Sequence, residues 1–413
     1  MILLFLTSGL FLGWSLGAND ASNVFGAAVG SRMVSFRMAA IIASVFVILG
    51  AVLQGSGTSA TLGRLGAVNA LGGSFTVALA AAITVYLMTK VALPVSTTQA
   101  IVGAIIGWNI FTGNPTDGKV LSQILTTWVA GPVLGAAFAI ILYILLKRIK
   151  KSSRMHLVVF ESYIKAGLIV AGAFGAYSLG ANNIANVMGV FIPAFNLHDL
   201  NLGFITLSSS QQLFLLGGLA IAAGILTYSR RVIETVGSNI MELSSEAAMV
   251  TVLSHALVLF IFSSSWLSSV FVKIGLPAIP MVPVSASQVI IGSVIGIGLY
   301  KSVRNINFRI LGEIAAGWVA TPLFSGLLAF LSLFFVKNIF GIEVGSRIIA
   351  ADPLEPGTTP FPSPDPNLSG ILHYLILGLI VTGASAVVFY YLLDRRKRTG
   401  FRKSEERFWK YIK

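Results

Sequence analysis

The chain has 413 residues, of which 55% are hydrophobic and only 10% charged, less than half the charged share of about 25% found in soluble domains. A water-soluble protein is excluded, and with no cysteine present so are disulfides, thiolate metal sites and cysteine nucleophiles. The formal charge of +13 would suit a nucleic-acid partner, but eleven of the thirteen excess charges lie in two places: the linker holding Lys147, Arg148, Lys150, Lys151 and Arg154, and residues 394–413. Both flank apolar segments, as cytoplasmic topology signals do, and no aromatic stacking platform accompanies them. Membrane lipid is the expected partner, and nucleic acid is not.

In chain order, apolar segments near the roughly 17–25 residues that a crossing helix requires predict membrane segments at 1–30 (interrupted), 38–57, 68–89, 91–112 and 121–146. The first is read as a retained helix and not a cleaved leader, since it lacks a charged start and runs directly into Gly17-Ala18-Asn19-Asp20. After the basic linker, further segments are expected at 157–194 (interrupted), 205–227, 247–271, 277–300, 311–336 and 371–393, with an interfacial helix between Arg230 and Ser245. Residues 338–369 carry six prolines, which no spanning helix tolerates, and are expected to form an exposed external loop. Segments 91–112 and 277–300 could also re-enter from one side.

Three motifs recur in the same order. Ser15-Leu16-Gly17-Ala18-Asn19-Asp20-Ala21-Ser22-Asn23-Val24 returns 163 residues later as Ser178-Leu179-Gly180-Ala181-Asn182-Asn183-Ile184-Ala185-Asn186-Val187. Pro94-Val95-Ser96-Thr97-Thr98-Gln99 returns as Pro283-Val284-Ser285-Ala286-Ser287-Gln288, and Trp128-Val129-Ala130-Gly131-Pro132 as Trp318-Val319-Ala320-Thr321-Pro322. The chain therefore reads as a duplication: a first transmembrane repeat at 1–150, a second at 151–337, the external loop at 338–369, and a C-terminal helix with a basic cytoplasmic tail at 370–413. Five crossings per repeat would insert the second copy upside down, and the placement of basic residues agrees with that parity. The expected fold is an all-α polytopic membrane protein of about eleven segments, arranged as two inverted-topology repeats with broken or re-entrant helices.

Asp20 lies inside an apolar segment with no arginine or lysine within eleven residues. A carboxylate at a helix centre in the membrane costs at least about 2.5 kcal/mol on insertion scales, so a bound cation or a proton from elsewhere is the natural compensation. Gly17 would permit an unwound backbone there, and Asn19, Asp20 and Asn23 could then surround a hard cation such as sodium. Asn182, Asn183 and Asn186 would form a second, neutral version. The plainer reading makes Asp20 a helix cap near the interface.

In the second motif, proline followed by serine starts a helix and leaves free backbone N–H groups with a positive dipole end. Ser96, Thr97, Thr98, Ser285 and Ser287 would offer donors to a tetrahedral oxyanion, with Gln99 and Gln288 either donating or packing silently; ordinary capped helices are the alternative. Glycines 103, 107, 292, 296 and 298 suit tight helix packing, and Glu246 an interfacial capping or inter-domain role, with proton carrying as the alternative. No nucleophile–base pair, nucleotide phosphate loop or metal-ligating histidine spacing is present, so no catalytic residues and no enzyme activity are expected.

Together these motifs resemble the inorganic phosphate transporter family of sodium- or proton-coupled permeases. Its signature, of the form GANDVANA in each half, stands here at Gly17 to Val24 and, weakened, at Gly180 to Val187, and its PVSTTH-like segment at Pro94 to Gln99 and Pro283 to Gln288. The resemblance covers about residues 1–337. It implies a plasma-membrane symporter with inverted repeats, sodium near Asp20, Asn23 and Asn186, inorganic phosphate at the serine, threonine and glutamine positions of both halves, and a homodimer; it implies no cofactor beyond the coupling ions. Two departures stand out: Asn183 replaces the second acidic residue, and Gln99 replaces a histidine. Proton coupling and sulfate transport stay open as alternatives, and a passive anion channel is the reading from another class.

Overall fold

The computed structural model describes residues 2–90, 95–153, 156–195, 198–201, 206–230, 232–233, 244–301 and 308–346. Pro94, the segment expected at 371–393, the basic tail and most of 230–245 lie outside the described residues. The order is α1 (Ile2–Gly30), α2 (Phe36–Leu65), α3 (Leu71–Lys90), α4 (Thr97–Thr112) and α5 (Gly118–Ser153), then α6 (Leu157–Met188) ending in a 3-10 turn, Gly189–Ala194. A minimal antiparallel pair, β1 (Leu200–Asn201) with β2 (Thr206–Leu207), precedes α7 (Ser209–Thr227), α8 (Ser245–Ser263), α9 (Ser265–Lys273), α10 (Ala286–Lys301) and α11 (Phe308–Asn338). Seven of the described helices are long and apolar enough to cross a membrane: α2, α3, α5, α6, α7, α8 and α11. The protein is an all-α, multi-pass membrane protein.

Two expected interruptions are absent. α1 runs unbroken through the Gly17–Asn23 motif and α6 through its counterpart. Gly17 serves another purpose: a side chain there would overlap the carbonyl oxygen of Ile221 on α7, and one at Gly180 would overlap that of Val47 on α2. The missing Cβ brings helix backbones together instead of unwinding one of them. The breaks fall elsewhere. α4 and α10 are each 16 residues long, about 24 Å at 1.5 Å per residue, short of the roughly 30 Å hydrocarbon thickness. Each starts inside the protein, at the second motif. The single segment expected at 247–271 is also broken at Ser264, whose side chain accepts from the Leu267 amide and starts α9.

Related elements of the two halves pack reciprocally: α1 on α7 and α2 on α6, α4 on α11 and α5 on α10. Between lipid-surrounded helices, association depends on close van der Waals contact more than on the hydrophobic effect, and glycine supplies it. A side chain at Gly103 would strike the backbone of Pro322, and one at Gly292 the backbone of Pro132. Gly107 meets Gly326 as Gly296 meets Ala136.

Of the loop expected over 338–369, the described part ends at Ser346; Gly341 to Glu343 and Ser346 are exposed, while Val344 is buried. Residues 341–346 fold back onto the start of α3 and the end of α4. Trp108 Nε1 donates to the Val344 carbonyl at 2.7 Å, and Ser346 N donates to Asn69 Oδ1 at 3.3 Å. Gly345 has φ 112°, a conformation that glycine adopts without steric cost.

Candidate functional site

All thirteen polar residues expected at a site are buried: Asn19, Asp20, Asn23, Ser96, Thr97, Thr98 and Gln99 from the first half, and Asn182, Asn183, Asn186, Ser285, Ser287 and Gln288 from the second. α1 and α6 hold the asparagines. The N-terminal ends of α4 and α10 hold the hydroxyls and glutamines.

The first motifs form two matching networks. Asn19 Nδ2 donates to Asp20 Oδ1 at 2.8 Å and Asn23 Nδ2 to the same oxygen at 3.4 Å. In the other half Asn182 Nδ2 donates to Asn183 Oδ1 at 2.7 Å and Asn186 Nδ2 to it at 3.3 Å. Asn183 Nδ2 joins the two, donating to Asp20 Oδ2 at 3.1 Å. The carboxylate is thus held by three amides and, among the described residues, by no basic side chain, so a charge on it would have to be balanced by a proton or a bound cation.

The short helices are tied to these networks both within each half and across the two. Asn19 Nδ2 reaches the Val95 carbonyl at 3.5 Å, and Asn182 Nδ2 the Val284 carbonyl at 2.7 Å, with the Val284 amide returning a bond to Asn182 Oδ1 at 2.9 Å. Ser287 Oγ donates to Val95 O at 3.0 Å and Thr98 Oγ1 to Val284 O at 3.3 Å, each hydroxyl crossing to the opposite half. Asn186 Nδ2 donates to Thr98 Oγ1 at 2.9 Å.

Ser96 caps α4 by accepting from the Gln99 amide at 3.2 Å, and Ser285 caps α10 by accepting from the Gln288 amide at 3.3 Å. The first amides of each helix stay outside its ladder, so two positive helix ends begin beside the carboxylate. Several buried oxygens have no protein partner: Thr97 Oγ1, Asn186 Oδ1, Gln99 Oε1 and Gln288 Oε1. Buried polar groups are nearly always bonded, so this donor set fits small hydrophilic guests. Asn186 Oδ1 and the Asp20 carboxylate are hard oxygen ligands, and a glutamine amide can turn to present N–H or C=O.

Two features lie outside the repeated motifs. On α2, Gln54, Thr58, Ser59 and Thr61 are buried; Thr58 Oγ1 donates to Ala181 O at 3.1 Å, immediately before Asn182, and Thr61 Oγ1 donates to Met281 O. The three- and four-residue spacing of positions 54, 58 and 61 marks one helix face and is the signal the sequence offers for them. On α8, His255 is fully buried, its ring beside the Ala286 backbone at the start of α10. A lone histidine without metal-ligand spacing carries no such signal along the chain. Glu246 makes an inter-helix contact outside this site, pairing with Lys150 on α5.

Short helices that begin within the membrane domain, meeting a buried polar cluster drawn from two halves of the chain, define a membrane transporter and not an enzyme. A family profile described as the phosphate transporter family matches residues 16–329, and the chain belongs to that family. A protein named "putative phosphate permease" from Pyrococcus horikoshii is 26% identical, the match covering 79% of this chain and 96% of that protein. Another of the same name from Methanocaldococcus jannaschii is 27% identical over 79% of this chain and 95% of its own length. A solved structure, "The sodium-dependent phosphate transporter", shares the fold, with a TM-score of 0.65 and 22% identity over 82% of this chain and 99% of that one.

Proposed function

We propose that this protein imports inorganic phosphate together with sodium by alternating access. The observation that carries the reading is the meeting of Asp20 with Asn183 of the other half, beside the starts of α4 and α10. Membership of the phosphate transporter family supports phosphate as cargo, and the sodium dependence by which the structural relative is named supports sodium as the coupling ion.

Asp20, Asn23 and Asn186, with Asn19, Asn182 and Asn183 behind them, would bind the cation. Ser96, Thr97, Thr98, Gln99, Ser285, Ser287 and Gln288 would bind phosphate through hydroxyls, amides and the free N–H groups of two helix ends. Charge sets the order. An anion approaching the bare Asp20 carboxylate is repelled, and a cation on Asp20 turns that repulsion into attraction, so cation binding favours phosphate binding and, by linkage, the reverse. Among the described residues no fixed positive side chain lies in this cluster, which leaves release of the anion possible.

The halves would act as inverted repeats, a reading supported by the reciprocal pairing of α4 with α11 and of α10 with α5. These pairs would rock against the α1, α2, α6 and α7 group around the loaded site. By family resemblance the protein would be a homodimer in the plasma membrane with its C-terminus in the cytoplasm.

Uptake of radiolabelled phosphate into proteoliposomes, with sodium and pH gradients imposed separately and sulfate as competitor, tests this. Uphill accumulation driven by sodium alone is the expected result. Accumulation driven only by a pH gradient would make the proton the coupling ion, equal competition by sulfate would widen the substrate, and equilibration without accumulation would leave a passive channel.

A further inference from the structure

We propose that the junction of α5 and α10 is a binding site for the phosphate group of an anionic membrane lipid. Tyr143 on α5 and Tyr300 on α10 meet edge to face, ring centroids 5.4 Å apart at 75°. Two lysines share these rings. Lys147 Nζ lies 5.3 Å from the Tyr143 centroid and 5.1 Å from that of Tyr300, and Lys301 Nζ lies 5.4 Å from Tyr143. An aromatic face attracts an ammonium group, but two on one ring repel each other. Among the described residues neither lysine meets a carboxylate: the neighbouring Glu246 is engaged by Lys150, and Lys301 Nζ donates to Ser244 Oγ at 3.3 Å.

A tyrosine pair that gathers two ammonium groups, neither in contact with a carboxylate among the described residues, is prepared for an anion. The surroundings select a lipid over free phosphate. Ile140 and Ile144, seven and three residues before Lys147, share its side of α5, and Leu299 precedes Tyr300 on α10; the isoleucines are half-buried and Leu299 is 50% exposed. Acyl chains would cover them while the headgroup phosphate meets Lys147 and Lys301, the arrangement expected of basic pockets at helix ends near the membrane surface. General attraction of basic loops to acidic lipid needs no such geometry, because it depends on charge number and not on a shared ring.

The test uses the purified full-length protein with equal amounts of phosphatidylglycerol and phosphatidylcholine, read by native mass spectrometry and by melting temperature. Wild-type protein should retain phosphatidylglycerol preferentially and melt higher with it. The double variant Lys147→Gln/Lys301→Gln should bind it about tenfold more weakly. Lys151→Gln/Lys165→Gln, which removes the same charge elsewhere, should bind as wild type, and Tyr143→Leu, which keeps every charge, should lose the preference. Melting in phosphatidylcholine alone checks that each variant folds. Equal losses in the two lysine pairs, or undiminished retention in the first, would overturn the site; displacement of the lipid by inorganic phosphate would overturn the choice of ligand.

Discussion

The motif on α1 and its copy on α6 build the same hydrogen-bond figure around different atoms. In each, the residue before the central side chain and the one three after it donate to the same oxygen, and the leading asparagine also reaches toward the opening of a short helix. The centre is a carboxylate in one and an amide in the other. That exchange is structural as well as electrostatic. Asn183 brings a donor to Asp20 Oδ2 at 3.1 Å, where a second aspartate would oppose two acceptors of like charge. The difference teaches that one half carries the charge and the other serves as its hydrogen-bonding partner, so a single strong cation site is expected where a fully symmetric protein would have two.

Removing the charge tests this comparison most severely. Asp20→Asn should lower coupled phosphate uptake roughly a hundredfold, the equivalent of about 2.7 kcal/mol, and abolish its cation dependence; wild-type dependence in proteoliposomes of this variant would end the assignment. The second test asks whether the halves are equivalent where charge plays no part. Gly103→Val and Gly292→Val each drive a side chain into a proline backbone of the opposite half and should destabilise by similar amounts, about 2 kcal/mol as for other overpacked contacts. Melting temperatures in detergent that differ widely between them would break the equivalence.

Restoring the missing acid sharpens the comparison from the other side. Asn183→Asp should shift the sodium concentration for half-maximal uptake about tenfold, or roughly 1.4 kcal/mol, and should make thermal stability more dependent on added sodium. An unchanged titration would show that position 183 does not face the cation. The smallest effect concerns the strap on α4, for which no counterpart is described on α10. Trp108→Phe removes the hydrogen bond to Val344 and should cost about 1 kcal/mol, seen as a lower melting temperature with sodium affinity retained.

Much of the site could be read along the chain because its residues are polar where the surroundings are apolar. Asp20 and the paired asparagines stand out against the cost of placing them in a membrane, and their recurrence marked both halves. The backbone around them could not be read so directly. Gly17 is compatible with an unwound turn and with close helix contact, and only the position of Ile221 decides between them. The strap at 341–346 was hidden for a similar reason: its short, glycine-containing sequence beside a proline-rich stretch reads as a free loop, while its anchors, Asn69 and Trp108, lie more than 200 residues earlier.

Composition alone established a multi-pass helical membrane protein, and internal repetition picked out the residues that would share a pocket, because burial in lipid penalises every polar group that has no task or partner. Tertiary structure decided which backbone is broken and which is not, and which amide faces the lone carboxylate. Those outcomes depend on contacts between distant segments, whose energies are absent from any local stretch of chain.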